Sequence, residues 1–159
     1  MHNVGSIFRT ADAAGIEKIY LCGITPAPID KFGRKRRQIT KVSLGAENYI
    51  PWEHAKSTTR LIDKFKKQGY TVLAIEQSKK SIPYHARASY RRATRGGTTP
   101  VEYLALVFGN ELKGLPSSIL NHADYILEIP MKGKKESLNV AVTFGIVVFH
   151  LAYHANYTK

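Results

Sequence analysis

The sequence contains a single cysteine, Cys22, among its 159 residues. One thiol cannot form an internal disulfide, and without a second thiol the chain lacks the cysteine spacing typical of a zinc site. The sequence also lacks an apolar signal core at its start, and it has no apolar run of transmembrane length free of charge and histidine. These absences predict a protein of the cytoplasm, or of an equivalent reducing compartment, in which Cys22 is a buried structural thiol.

Acidic residues are also scarce. Only 12 Asp and Glu accompany 24 Lys and Arg, which gives a formal net charge of +12 and an isoelectric point near 9.9. Such an excess favours a polyanionic partner over the alternative, an inert basic surface. The hydrophobic fraction of 43% is that of a folded globular protein, and the length leaves room for a single domain spanning 1–159.

Strand-like and helix-like segments alternate along the chain. Short apolar runs predict strands over 18–22, 70–75, 103–108 and 124–129, with a weak edge strand at 49–52. Helical spacing of apolar residues predicts helices over 3–14, 57–68, 116–121 and 137–155, with Ser137 as the N-cap of the last one. The alternation predicts an α/β fold with a mainly parallel sheet and flanking helices.

Three pieces of the last third lie where predicted strands end or where the last helix begins: residues 106–111, 125–131 and 136–140. Ligands of open α/β sheets bind beyond the carboxyl ends of the strands. The sequence therefore predicts that these three loops form one pocket. The glycine-containing loop over 109–114 has no Lys-Ser or Lys-Thr ending, so a triphosphate cradle is not predicted there.

Together with residues 3–11, these pieces resemble the motifs of the SpoU (TrmH) branch of the SPOUT RNA methyltransferases, in order and spacing and over nearly the whole chain. The resemblance implies an enzyme that uses S-adenosylmethionine to methylate a ribose 2′-hydroxyl of tRNA or rRNA. It also implies a deep C-terminal trefoil knot, which no composition or periodicity predicts, and a homodimer packed around that knot. The apolar final helix agrees with such an interface through Phe144, Ile146, Val147, Val148 and Phe149.

Five positions match the active-site residues of that family: Asn3, Arg9, Glu111, Ser137 and Asn139. The asparagines can orient hydroxyls or backbone, Glu111 can fix a neighbouring donor, and Ser137 can bond substrate or only cap the last helix. Arg9 can hold a phosphate in a bidentate fork. The family mechanism often names this arginine as the base. A guanidinium is protonated at neutral pH and accepts a proton poorly, so we assign Arg9 first to positioning.

The resemblance also implies a cofactor site in the pocket loops. Small and apolar side chains there can enclose the adenine of S-adenosylmethionine while backbone amides contact its edge. The predicted cofactor-binding residues are Phe108, Gly109, Asn110, Ile129, Met131, Ser137, Leu138 and Asn139.

Several cations are predicted to bind RNA. Those that follow strand 18–22 leave it on the pocket side, which favours phosphate contacts over a merely solvated face. Those near position 90 alternate with aromatics, a pattern that suits backbone neutralisation with base stacking and equally suits a surface excursion. The set is Arg9, Arg34, Lys35, Arg36, Arg37, Arg91 and Arg92. No metal site is predicted, because the pair His150 and His154 lacks the glutamate of a zincin helix.

Two rival functions remain open from the sequence. One keeps the cofactor but methylates an RNA base, and the other is a basic RNA-binding protein without catalysis. Members of the family usually carry a strand before the Asn3 motif. This chain starts at Met1, which predicts a truncated N-terminus.

Overall fold

A computed structural model describes residues 1–86, 103–110 and 113–156, with side chains up to Ala152. The helices are α1 (His2–Ala13), α2 (Arg37–Ser43), α3 (Thr58–Lys67), α4 (Ser117–Leu120) and α5 (Val140–Asn156). The strands are β1 (Ile19–Cys22), β2 (Trp52–Ala55), β3 (Thr71–Ile75), β4 (Ile82–Pro83), β5 (Leu104–Phe108) and β6 (Tyr125–Glu128). The chain divides into two compact units. The first holds Met1–Ser57 and the chain from Asn139 onward, and the second holds Thr58–Leu138.

The first unit contains α1, α2, α5 and one parallel strand pair, β1 with β2. Pairing begins at Trp52, directly after Pro51, so the predicted edge strand at 49–52 is wrong in position: proline has no amide to donate to a sheet ladder. Cys22 is half-buried in β1 rather than fully buried. The core of this unit is built from Phe8, Leu21, Ala46 and Ile50.

The second unit contains a four-stranded sheet in the order β4-β6-β3-β5, and every strand pair in it is parallel. The predicted strands at 70–75, 103–108 and 124–129 are confirmed to within one residue at each end. Helices α3 and α4 cover one face, where Ile62, Val72 and Ile119 form a buried cluster. The predicted α/β class with parallel strands and flanking helices is therefore confirmed.

One connection in this sheet crosses another strand. β3 and β4 follow each other in the chain, but β6 lies between them. Ile75 and Ile82 pair with the same residue, Leu127, from opposite sides. Residues 76–81, here called the crossing segment, therefore pass over the carboxyl end of β6. The segment is held there by Ser81 Oγ, which donates to the Glu128 carboxylate at 2.7 Å.

The last helix begins later than predicted. It starts at Val140, so the prediction of Ser137 as its N-cap is wrong. Three of the residues predicted for a dimer interface, Phe144, Val147 and Val148, are buried within the single chain, whereas Val142 and Phe149 are exposed. The apolar character of α5 is thus mostly explained by the protein's own core. No helix within the described residues is long and apolar enough to span a membrane.

A helical glycine sets how closely α1 packs on α2. A Cβ on Gly5 would lie 2.6 Å from the carbonyl oxygen of Ile39 and 2.9 Å from Cβ of Val42. A backbone carbonyl cannot rotate away, so the helices must separate to accept a methyl group. We expect Gly5→Ala to lower the free energy of unfolding by about 1–3 kcal/mol, measured by urea denaturation.

Gly145 on α5 is the matched control for this substitution. The nearest atom to a Cβ there is Cγ2 of Thr10 at 3.7 Å, an ordinary van der Waals contact. Alanine also favours a helix over glycine by about 1 kcal/mol. We expect Gly145→Ala to leave stability unchanged or to raise it. Equal losses from both substitutions would contradict the close approach of α1 and α2.

Candidate active site

Two asparagines, separated by 136 residues in sequence, form one hydrogen-bonded pair in the first unit. Asn139 directly precedes α5 and caps it: its Oδ1 accepts from the Ala141 amide at 2.9 Å, and its carbonyl accepts from the Thr143 amide at 2.9 Å. Its Nδ2 donates to Oδ1 of Asn3 on α1 at 3.0 Å. Because the cap requires the oxygen of the Asn139 amide, the nitrogen must face Asn3. The pair is therefore fixed in one orientation.

Arg9 lies on the exposed side of α1, six residues after Asn3. Six helical residues separate the two Cα atoms by about 9 Å along the axis and about 120° around it, a separation that the long arginine side chain can partly span. Within the described residues, none of the salt bridges involves Arg9. Among the described residues, no carboxylate therefore pairs with its N–H donors, which suit an anion.

The loops after β5 and β6 leave the same edge of the four-stranded sheet, one on each side of β3. The loop after β5 closes on itself, since the Gly114 amide donates to the Asn110 carbonyl at 2.8 Å. A Cβ on Gly109 would lie 2.6 Å from the carbonyl carbon of Gly114. Gly114 itself has a φ of +60° and packs on the Glu76 carboxylate with no space for a side chain. Only glycine fits either position.

Glu76 and Gln77, directly after β3, hold both of these loops. Glu76 Oε2 accepts from the Leu115 amide at 2.7 Å, and Gln77 Nε2 donates to the Glu136 carbonyl at 2.7 Å. Sequence reasoning missed both residues. The signal was present, because they follow a buried strand at its carboxyl end, the same rule that selected Gly109.

The other predicted site residues differ in exposure. Phe108, Ile129 and Met131 are half-buried, whereas Asn110, Ser137 and Leu138 are exposed. Leu138 keeps 37% of its surface open to solvent, so this apolar side chain is accessible to a ligand. Glu111, Arg91 and Arg92 lie outside the described residues.

Four of the predicted RNA-binding cations belong to residues 24–37, here called the basic loop. An isolated antiparallel bridge between Ile29 and Lys35 joins the two sides of this loop, and the Arg36 amide donates to the Pro28 carbonyl at 2.8 Å. Arg34, Lys35 and Arg37 are exposed, while Arg36 is half-buried. Arg34 forms a salt bridge with Asp30 at 2.9 Å. The loop thus brings the four cations together at the start of α2.

A metal-binding cluster is not found in the described part of the chain, where no three His, Cys, Asp or Glu side chains are grouped to hold an ion. The side chain of His154 lies outside the described residues.

Comparison with known proteins extends these observations. The sequence profile of the SpoU rRNA methylase family matches residues 1–149. The chain is 30% identical to the 23S rRNA (guanosine-2′-O-)-methyltransferase RlmB of Neisseria meningitidis serogroup B, over 92% of this chain and 52% of RlmB. It is 29% identical to the tRNA (guanosine(18)-2′-O)-methyltransferase of Aquifex aeolicus, over 93% of this chain and 62% of that enzyme.

The structure is similar to the AdoMet-bound rRNA methyltransferase from Sinorhizobium meliloti, with a TM-score of 0.76 and 30% sequence identity. The match covers 96% of this chain and 52% of the S. meliloti protein, so this chain spans about half the length of that structure. The family profile reaches from the first helix to the last and includes residues of both units. This chain therefore belongs to the SpoU rRNA methylase family.

Proposed function

We propose that this chain transfers the methyl group of S-adenosylmethionine to a ribose 2′-hydroxyl of tRNA or rRNA. The two relatives described above are named as 2′-O-methyltransferases, one of 23S rRNA and one of tRNA, and the related S. meliloti structure contains AdoMet. The observation that carries the proposal is the hydrogen bond between Asn139 and Asn3, because it joins the first and last motifs of the family resemblance.

The substrate side of the reaction is assigned to Asn3, Arg9 and Asn139. The fixed amide pair presents donors and acceptors in one arrangement, and methyl transfer requires a hydroxyl held in line with the methyl donor. The exposed guanidinium of Arg9 can grip the adjacent phosphate through two parallel N–H groups. Because a guanidinium has N–H donors and no acceptor, Arg9 is assigned to positioning rather than to proton removal. Glu111 and Ser137 complete the catalytic set on the strength of the family resemblance.

The cofactor side is assigned to the loops after β5 and β6. The apolar surfaces of Phe108, Ile129 and Met131, together with the tightly closed loop at Gly109, fit a nucleoside that carries no phosphate. When bound, S-adenosylmethionine supplies an electrophilic methyl group on a sulfonium. The chain's own part is to keep the loops in shape, through the bonds from Glu76 and Gln77. The proposed set is Phe108, Gly109, Asn110, Ile129, Met131, Ser137, Leu138 and Asn139.

The RNA side is assigned to the predicted cations. The net charge of +12 supports a polyanionic ligand, and the basic loop concentrates exposed positive charge in the first unit. Phosphate contacts of this kind position an RNA without reading its sequence. The proposed set is Arg9, Arg34, Lys35, Arg36, Arg37, Arg91 and Arg92.

A trefoil knot is proposed for the C-terminal part of the chain. The crossing segment spans the carboxyl end of β6, so the chain that leaves β6 must pass on one side of that segment or the other. A knot forms if the chain that leaves β6 passes through the loop that β3, the crossing segment and β4 form around β6. The bond from Gln77 Nε2 to the Glu136 carbonyl, at 2.7 Å, holds the departing chain against the crossing segment, and the knotted path is proposed on the strength of the family resemblance.

A cytoplasmic homodimer with a single catalytic domain over 1–159 is also proposed. Because Phe144, Val147 and Val148 are buried in the single chain, Val142 and Phe149 are the exposed residues among the described side chains of α5 and are proposed for the interface. The half-buried lone thiol of Cys22 is compatible with a reducing compartment.

The proposed function is tested with the full chain, S-adenosylmethionine labelled in its methyl group, and total RNA from cells that lack the enzyme. The RNA is digested to nucleosides and analysed by mass spectrometry. We expect the label in a nucleoside whose ribose carries the additional methyl group. Label on a base would favour the base-methylating alternative. No transfer, together with no heat of S-adenosylmethionine binding by calorimetry, would leave a non-catalytic RNA-binding protein.

A further inference from the structure

An exposed aromatic ring stands at the tip of the basic loop. Phe32 keeps 68% of its surface open to solvent. The Lys31 Nζ lies 4.9 Å from the centre of its ring, and the Arg34 Cζ lies 5.0 Å from it. Cations this close to a phenyl ring are attracted to its electron-rich face. The tip therefore combines a solvent-exposed aromatic ring with two positively charged side chains close to it.

The tip is held in one conformation by Asp30. Its Oδ1 accepts from the amides of Phe32 at 2.8 Å and Arg34 at 2.9 Å, and its Oδ2 accepts from Arg34 Nε at 2.9 Å. The backbone hydrogen bond from Arg34 is the main cause that holds the pKa of Asp30 below its ordinary value, so the anchor is ionised at neutral pH. Gly33 completes the turn with a φ of +78°. Little ordering remains to be done when a ligand arrives.

We propose that Phe32 is a stacking platform for an unpaired nucleobase of the RNA substrate, with Lys31 and Arg34 contacting the phosphates on either side of that nucleotide. This inference rests on the proposed function, since it takes RNA as the ligand. A base that stacks on the ring displaces a cation from its face, and the adjacent phosphate is the stronger partner for that cation.

The same features select single-stranded over paired RNA. In a duplex the base faces are covered by their neighbours, and the deep, narrow major groove excludes side chains. A loop or bulge exposes its bases, and every base has a face that can stack on an aromatic ring. The tip is therefore expected to hold a flexible loop of the substrate, without preference for one base.

The test compares Phe32→Ala and Phe32→Trp in binding to a short single-stranded oligoribonucleotide, measured by fluorescence anisotropy. We expect Phe32→Ala to weaken binding by about 5- to 150-fold, the equivalent of one lost base stack, and Phe32→Trp to bind at least as tightly as the original chain. Tyr49→Ala is the matched control, because Tyr49 is another exposed aromatic residue of the first unit, at 74%. It should bind normally.

Salt dependence separates stacking from charge. Phe32→Ala should leave the slope of affinity against salt concentration unchanged, whereas Lys31→Gln should reduce it by about 0.7. A duplex of the same sequence should bind the original chain and Phe32→Ala equally. Equal affinities of these two proteins for the single strand, or no binding of the single strand by the original chain, would overturn the platform. If the original chain transfers no methyl group but Phe32→Ala still weakens RNA binding, only the proposed function is overturned.

Discussion

Asn139→Asp is expected to remove most methyl transfer while it keeps the N-cap of α5. An aspartate oxygen can accept the Ala141 amide that now binds Asn139 Oδ1, and aspartate is as good an N-cap as asparagine. It cannot replace the Nδ2 donor to Asn3. An unmade polar contact is worth about 1–3 kcal/mol; where that energy is lost from the transition state, the rate falls by about 5- to 150-fold. Single-turnover methyl transfer and thermal unfolding measure the two effects.

Asn139→Ala is the control that removes both roles. It should reduce activity at least as far and should also destabilise the chain by about 1 kcal/mol through the lost cap. Asn3→Ala should reduce activity without a capping penalty. The double variant Asn3→Ala with Asn139→Asp should be little worse than either alone, because the two residues act as one pair. Full activity of Asn139→Asp would show that the amide pair has no part in the reaction.

The N-cap of α5 was not predicted correctly from the local sequence alone. Ser137 was predicted as the N-cap because serine is favoured at that position before an apolar run. In the structure Asn139 caps the helix, and it also bonds Asn3, which lies 136 residues away in the sequence. No periodicity within the last third of the chain contains this long-range contact.

In the second unit, too, the sequence pattern predicted the strands but not the long-range contacts of the loops. Apolar runs were sufficient to find β3, β5 and β6, because a buried parallel strand is apolar on both faces. They did not reveal that Glu76 and Gln77 hold the loops after the neighbouring strands, since these bonds join residues 39 and 59 positions apart. The insertion of β6 between β3 and β4 is likewise decided by pairing across the sheet.

The prediction of an interface on α5 rests on the apolar character of that helix. A helix that is apolar on almost every side must be enclosed, but that rule does not say by what. Phe144, Val147 and Val148 are enclosed within the chain itself. Composition therefore predicted the burial of α5 correctly and could not distinguish a core from a subunit contact.

Gly109→Ala is expected to lower the affinity for S-adenosylmethionine by more than tenfold. Its Cβ would lie 2.6 Å from the carbonyl carbon of Gly114 and 2.8 Å from the Leu115 amide nitrogen, and both are backbone atoms. The loop must open to accept the methyl group. Opening breaks the bonds from the Gly114 amide to the Asn110 carbonyl and from the Leu115 amide to Glu76. Calorimetric titration measures the affinity, and circular dichroism checks that the chain remains folded.

Gly133→Ala provides the matched control, in the loop after β6 that is proposed to bind the same ligand. A Cβ at Gly133 meets no described atom within 4 Å, so the same one-methyl change creates no strain. We expect its affinity to equal that of the original chain. Overpacking at Gly109 should also cost about 1–3 kcal/mol in stability. If Gly109→Ala is destabilised by that amount but binds normally, the closed loop is a structural element only. Weaker binding by both variants would instead mean that any added methyl group in these loops hinders the ligand, whatever its local contacts.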